Sequence, residues 1–100
     1  MTRLVSTLAG DQTLLDLQAL CRCALVSPEW VLERVRAGLI APCSADGESA
    51  WRFDAAALRR VRYMVHLERH FDAVPELAAL VADMHEEIEA LRSQLARFVG

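Results

Sequence analysis

Apolar residues recur every three or four positions through most of this chain, which is the spacing of one face of an α-helix. Each of the first three helical segments begins at a residue whose side chain can accept the free amides of a first turn: Asp16, Ser27 and Asp54. Pro28 suits the first position of the second helix, and Gly38 can take the left-handed conformation that ends it. The pattern therefore predicts helices over residues 16–23, 28–38 and 54–70.

A fourth helix is predicted to begin at Pro75, and it carries an unbroken apolar seam at alternating steps of four and three residues. The seam covers about three heptads, and the charged residues lie off it. Its members are Leu77, Val81, Met84, Ile88, Leu91, Leu95 and Phe98. A helix with such a stripe needs an apolar partner, and we expect that partner to be a second copy of the chain in a coiled coil. The seam leaves open whether the two helices run parallel or antiparallel.

A β-hairpin is predicted between the second and third helices, because Asp46-Gly47 is a strong signal for a tight turn. The flanking strands would be Ile40–Cys43 and Ala50–Phe53, which together would form a small wing. Further short strands are expected near Arg3–Ser6 and at Thr13–Leu15.

The predicted order of elements is helix, turn, helix, wing, helix and long helix, so the fold class is mainly α. We expect a winged helix-turn-helix unit over residues 1–73 and a C-terminal coiled-coil dimerisation helix over residues 74–100, within one structural domain. The chain has 100 residues, of which 54% are apolar, so it can bury a modest core. Dimerisation would add to the marginal stability of so small a core.

Composition sets limits on the partner and the compartment. The net charge of −3 gives no general attraction to nucleic acid or to an anionic membrane. The sequence has no run of about 18 apolar residues that could span a membrane, and its first residues do not resemble a signal peptide. The three cysteines are expected to stay reduced. We therefore expect a cytoplasmic protein.

The element order, together with the run Gly38–Pro42 after the second helix, resembles the MerR family of regulators. Those proteins carry a Gly-Leu-x-x-Pro stretch at this place, and their long C-terminal helices dimerise, typically antiparallel. More closely, the chain resembles the CbpM family of chaperone modulators. The segments that carry this resemblance are Val26–Glu29, Gly38–Ile40, Trp51–Asp54 and Leu91–Phe98.

The resemblance implies a non-enzymatic function. Proteins of the CbpM type bind the J domain of a DnaJ/CbpA-like co-chaperone, inhibit its stimulation of the Hsp70 protein DnaK, and reduce its DNA binding. Glu29, Glu33 and Arg36 share one face of the second helix, where acids would suit a basic helix of a J domain, and Trp30 could supply an apolar anchor. The alternatives are a solvated polar face and a Trp30 that packs inward or stacks on Arg34.

The competing hypothesis is a MerR-type DNA-binding transcription regulator. Arg59, Arg62 and Arg69 share the outer face of the third helix and could contact phosphates, or they could offset acids on the fourth helix. MerR regulators usually carry an arginine followed by aromatic residues on the second helix, where this chain has Leu32 and Glu33. Neither side chain can neutralise a phosphate, so DNA is the less favoured partner.

No pattern of catalytic or cofactor-binding residues is apparent, so neither enzymatic activity nor a cofactor is expected. Cys21 and Cys23 are two residues apart on a helix and point in different directions, which favours packed thiols over a metal or redox site completed by Cys43. His66 and His70 are one helical turn apart, but no third ligand follows at a suitable spacing. We expect no metal site.

Overall fold

A computed structural model describes residues 5–6, 13–43 and 47–99 of the chain. Its helices are α1 (Leu17–Ala24), α2 (Pro28–Arg36), α3 (Ala55–Phe71) and α4 (Pro75–Val99). Two strands of two residues each, β1 (Val5–Ser6) and β2 (Thr13–Leu14), pair antiparallel before α1. The mainly α prediction is confirmed, and each described helix begins and ends within a few residues of its expected position.

The beginnings of the first three helices follow from capping side chains. Asp16 Oδ1 and Asp54 Oδ1 each accept the backbone amide three residues ahead at 2.8 Å. Ser27 Oγ accepts the corresponding amide of α2 at 3.1 Å, and Pro28 occupies the first turn of that helix. These bonds satisfy amides that would otherwise lack an intrahelical acceptor, so the predicted helix starts are confirmed.

Left-handed residues occur where helices end. Gly38 follows α2 with φ +78°, a conformation that a residue without a Cβ adopts easily. Leu25 and Asp72 adopt the same region at the ends of α1 and α3, with φ values of 59° and 53°. Each of these two residues donates its amide to a carbonyl in the last turn of its own helix, to Cys21 O or Leu67 O.

The core lies where α1, α2 and α3 meet. Its largest fully buried side chains are Phe53, Leu20, Met64, Val31 and Val61. Phe53 precedes α3 and forms an antiparallel bridge with Leu15, with both backbone hydrogen bonds at 2.8 Å. The segment before α1 is thereby fixed beside the start of α3.

The predicted β-hairpin wing is wrong. Cys43 N–H donates to Arg52 O at 2.7 Å, but neither Ile40–Cys43 nor Ala50–Phe53 forms a strand. Residues 48–50 form a short 3₁₀-helix, and Asp46 of the expected turn lies outside the described residues. The physical reason is that the 3₁₀ turn takes residues 48–50 out of an extended conformation, which leaves Cys43–Arg52 as the single backbone hydrogen bond between the two expected strands within the described residues.

Helix α4 returns along α3 and contacts it through small side chains. Ala78, Ala79 and Ala82 are buried there, which allows the two helices to approach closely. Farther along, the ring of His85 stacks on that of Tyr63, with centroids 4.5 Å apart. Among the described helices, none is both long enough and apolar enough to cross a membrane.

Candidate protein-interaction surfaces

The outer face of α2, defined by Glu29, Glu33 and Arg36, is exposed. The side chain of Glu33 is 76% accessible to solvent. Trp30 lies at the edge of this face and is only half-buried. The structure therefore brings the three charged residues of the predicted partner site together and turns the fourth member partly inward.

Trp30 belongs to a compact polar cluster that ties α2 to α3. Its indole Nε1 donates to Glu68 Oε1 at 3.1 Å. Arg34 donates from Nη2 to Glu68 Oε1 (2.8 Å) and from Nε to Glu68 Oε2 (3.1 Å), which is a bidentate pair. The guanidinium carbon of Arg34 lies 3.9 Å from the centroid of a Trp30 ring. The alternative in which Trp30 stacks on Arg34 is the arrangement observed.

Glu68 is a residue of this cluster that the sequence analysis did not single out. Its side chain is 14% exposed and that of Arg34 is 8% exposed, so the ion pair is largely removed from water. The two residues are 34 positions apart in the chain. A local charge pattern therefore gave no signal of the pair.

Two of the three arginines proposed for DNA contact are engaged with α1. Arg62 donates from Nε and Nη2 to Cys23 O at 3.3 and 3.2 Å, and Arg69 donates from Nη2 to Leu25 O at 2.9 Å. Cations at a helix C-terminus complement its dipole and its free carbonyls. Arg59, the third member, is exposed.

An open groove of about 1220 Å³ lies between α3 and α4. Beside it, Arg60 donates to Leu39 O (2.9 Å), Asp83 Oδ1 (2.8 Å) and Glu86 Oε2 (2.9 Å). Burial lowers the pKa of Arg60, but hydrogen bonds and charge interactions with Glu86 and Asp83 raise it overall above its ordinary value. An arginine of α3 thus offsets acids of α4 within one chain.

The apolar seam of α4 lies on the side of the helix away from α3. The buried alanines of α4 face α3, whereas six seam residues are between 47% and 89% exposed: Leu77, Met84, Ile88, Leu91, Leu95 and Phe98. Val81, the remaining predicted member, is half-buried. Leu80 is also exposed and widens the apolar surface, although it lies beside the strict heptad positions.

The thiols and imidazoles do not assemble into a metal site. Among the described residues there is no group of three or more side chains that could hold a metal ion. Burial, with the negative charge of Glu29 as the next cause, raises the pKa of Cys21. Desolvation, followed by the charge of Asp54, raises the pKa of Cys43. Both effects disfavour the thiolate that binds metals or attacks disulfides.

Comparison with known proteins assigns the family. The family model described as "MerR HTH family regulatory protein" matches residues 15–98, a span that includes α1 to α3 and all but the last residue of α4. The chain belongs to the MerR helix-turn-helix family. Within the matched span, α1 and α2 are separated by only the three residues 25–27.

Curated relatives refine this assignment. "Chaperone modulatory protein CbpM" of Pseudomonas entomophila strain L48 is 35% identical over 80 residues, which cover 80% of this chain and 78% of the relative. Proteins of the same name from Pseudomonas putida strains F1 and KT2440 are each 32% identical with the same coverage. The chain therefore belongs with the CbpM proteins, and the resemblance inferred from the sequence is confirmed.

Proposed function

We propose that this chain is a non-enzymatic chaperone modulator that binds the J domain of a DnaJ/CbpA-like co-chaperone. Binding inhibits the stimulation of Hsp70 (DnaK) by the co-chaperone and reduces the DNA binding of the co-chaperone. The name shared by the curated relatives supports the chaperone-modulating role. We place this activity in the cytoplasm.

The observation that carries the proposal is the sign of the exposed charge on α2. In helix-turn-helix proteins that read DNA, the second helix enters the major groove. Here Glu29 and Glu33 are exposed on that helix, while the neighbouring Arg34 is buried against Glu68. The exposed face carries two carboxylates against the one guanidinium of Arg36, and this net negative charge disfavours phosphates and favours a cationic polypeptide.

The mechanism follows from this complementarity. J domains present a helix rich in lysine and arginine to Hsp70, and an acidic surface that covers this helix would compete with Hsp70 for it. Opposite charges would also accelerate the encounter of the two proteins. We assign contact roles to Glu29, Glu33 and Arg36, with Trp30 contributing at the edge of the surface.

We further propose that the exposed seam of α4 pairs with the same seam of a second copy. Six large apolar side chains on one side of a helix form a surface that water solvates poorly, and a self-complementary stripe of this kind is the usual contact of a coiled coil. Each subunit of the dimer would then present its own α2 face.

Glu33→Arg tests the α2 contact. The substitution places a cation where the proposal requires an anion, so we expect the Kd for an isolated J domain to rise about tenfold or more in calorimetry. The matched control is Glu87→Arg, which makes the same charge reversal on an exposed residue of α4. Unchanged affinity of the Glu33 variant would remove α2 from the interface.

DNA binding by a MerR-type regulator remains the second candidate because Arg59 is exposed on α3. This hypothesis predicts that the affinity for duplex DNA falls steeply as the salt concentration rises, and that the bound site is roughly palindromic. The J-domain proposal instead predicts that added duplex DNA does not displace the J domain.

A further inference from the structure

Arg34 is the one buried charged residue among the described residues, and it lies on the helix whose outer face we propose as the docking surface. Its guanidinium is held from several directions. Glu68 accepts two of its hydrogen bonds, Trp30 O accepts another from Nη1 at 3.0 Å, and the Trp30 ring lies against its plane. The cation is therefore fully accommodated inside the domain.

We propose that Glu68 determines partner specificity by keeping the Arg34 cation off the outer face of α2. The inference rests on the proposed function for the identity of the partner, but the charge effect on α2 is independent of it. Glu68 acts through Arg34 and is a positioning residue. With Glu68 present, the exposed charge next to Arg34 is the carboxylate of Glu33.

The geometry gives Arg34 a short path to the surface. Nη1 of Arg34 lies 3.5 Å from Oε1 of the exposed Glu33, so this end of the guanidinium already points toward the outer face. A buried arginine that loses its carboxylate partner is strongly destabilised in place. Rotation of its long side chain into water relieves this cost, and it brings a positive charge beside Glu33.

Two variants separate this role from a purely structural one. Glu68→Gln removes the negative charge that holds Arg34. The amide nitrogen of the new glutamine is a donor, so it cannot accept the hydrogen bonds that Arg34 or Trp30 donates to the carboxylate. We expect the Kd for an isolated J domain to rise about fivefold, as for one added charge in a solvated interface. The double variant Arg34→Met with Glu68→Gln also lacks the ion pair but exposes no cation, so we expect affinity close to that of the unmodified protein.

A second readout does not depend on the J domain. On a heparin column, the Glu68→Gln variant should need more salt for elution than the unmodified protein, the double variant and Glu87→Gln, a surface variant of the same net charge, because only Glu68→Gln gains an exposed cation on α2. This result would support the effect of Glu68 on the charge of α2 even if the unmodified protein bound no J domain. Failure to bind a J domain would contradict the proposed function, but not the effect of Glu68 on Arg34. Equal elution of the single and double variants would overturn the role of Glu68.

Folding is monitored by circular dichroism and thermal unfolding for each variant. If Glu68→Gln does not fold, Glu68→Asp takes its place, because it keeps the charge and withdraws the carboxylate by one methylene. We then expect a smaller increase in both Kd and elution salt, which Arg34→Met in the Glu68→Asp background should abolish. Identical behaviour with and without Arg34 would again contradict the proposal.

Discussion

Among the residues that the structure describes, Leu25 has the backbone conformation least suited to its side chain. It ends α1 in the left-handed region, which costs a residue with a Cβ roughly 1–2 kcal/mol. The residue is 75% exposed, so burial of its side chain offsets little of this cost. Its carbonyl accepts from Arg69, which fixes the turn between α1 and α2 in this conformation.

Leu25→Gly should therefore stabilise the domain. Glycine adopts the left-handed region without a steric penalty, and we expect the free energy of unfolding to rise by roughly 0.5–1 kcal/mol after the greater flexibility of the unfolded chain is included. Urea denaturation followed by circular dichroism measures the change.

Ala37→Gly is the matched control for this effect. Ala37 ends α2 with φ −80°, where glycine gains nothing and loses more conformational entropy on folding. We expect a decrease of about 0.5–1 kcal/mol at this position. A decrease for both variants would show that the backbone at Leu25 is not strained.

Helix α4 has two apolar faces of different character. Small alanines face α3, whereas large side chains point to solvent on the opposite side. At about 1.5 Å per residue, the 25 residues of α4 extend roughly 37 Å, close to the longest dimension of the molecule, 43 Å. Residues 83–98 are all exposed, so the seam is uncovered along this half of the helix.

Ile88→Asp tests the seam. A carboxylate buried between two apolar helices would lack a partner, so we expect monomers in sedimentation at concentrations where the unmodified chain dimerises. Ala90→Asp introduces the same side chain on α4 away from the seam and should leave the dimer intact. Persistence of the dimer in the Ile88 variant would show that copies associate elsewhere.

Elements defined by neighbouring residues could be predicted from the sequence. Asp16, Ser27 and Asp54 act within one helical turn, and the structure has a helix after each. The prediction of a wing failed because a turn signal between neighbouring residues does not decide how the flanking segments pair. Asp46-Gly47 is a local turn signal, but it does not reveal the 3₁₀ turn at residues 48–50 or the pairing of Phe53 with Leu15, 38 residues earlier.

For the candidate surfaces too, features set by neighbouring residues could be predicted and features set by long-range contacts could not. The charged face of α2 and the seam of α4 follow from helical spacing, so the residues on each could be named in advance. The burial of the Arg34 side chain could not be predicted, because only the packing of α2 on α3 in the folded chain places Glu68 beside Arg34. Likewise, spacing alone could not tell that Arg62 and Arg69 donate to carbonyls of residues 39 and 44 positions earlier.

At the scale of the whole molecule, α3 separates the two proposed contact surfaces. Glu68 of α3 holds α2, and another part of α3 packs against the alanines of α4. The proposed J-domain surface and the proposed dimer surface therefore belong to different elements. Effects of substitutions at sites without shared partners are usually additive.

This separation predicts the stoichiometry of the complex. We expect one J domain per subunit in calorimetry, and the monomeric Ile88→Asp variant should bind the J domain with a Kd within about twofold of the unmodified protein. A stoichiometry of one J domain per dimer, or loss of binding in the monomer, would place the J domain across the seam.

Arg60 of α3 links two other parts of the molecule. One planar guanidinium joins the turn after α2, through Leu39 O, to Asp83 and Glu86 of α4. Lysine offers a single ammonium group and lacks the fixed fork that meets such divergent acceptors. Arg60 therefore helps to set the angle between α4 and the rest of the domain, together with the buried alanines of α4 and the stack of His85 on Tyr63. In the proposed dimer, this angle would determine the distance between the two helix-turn-helix units.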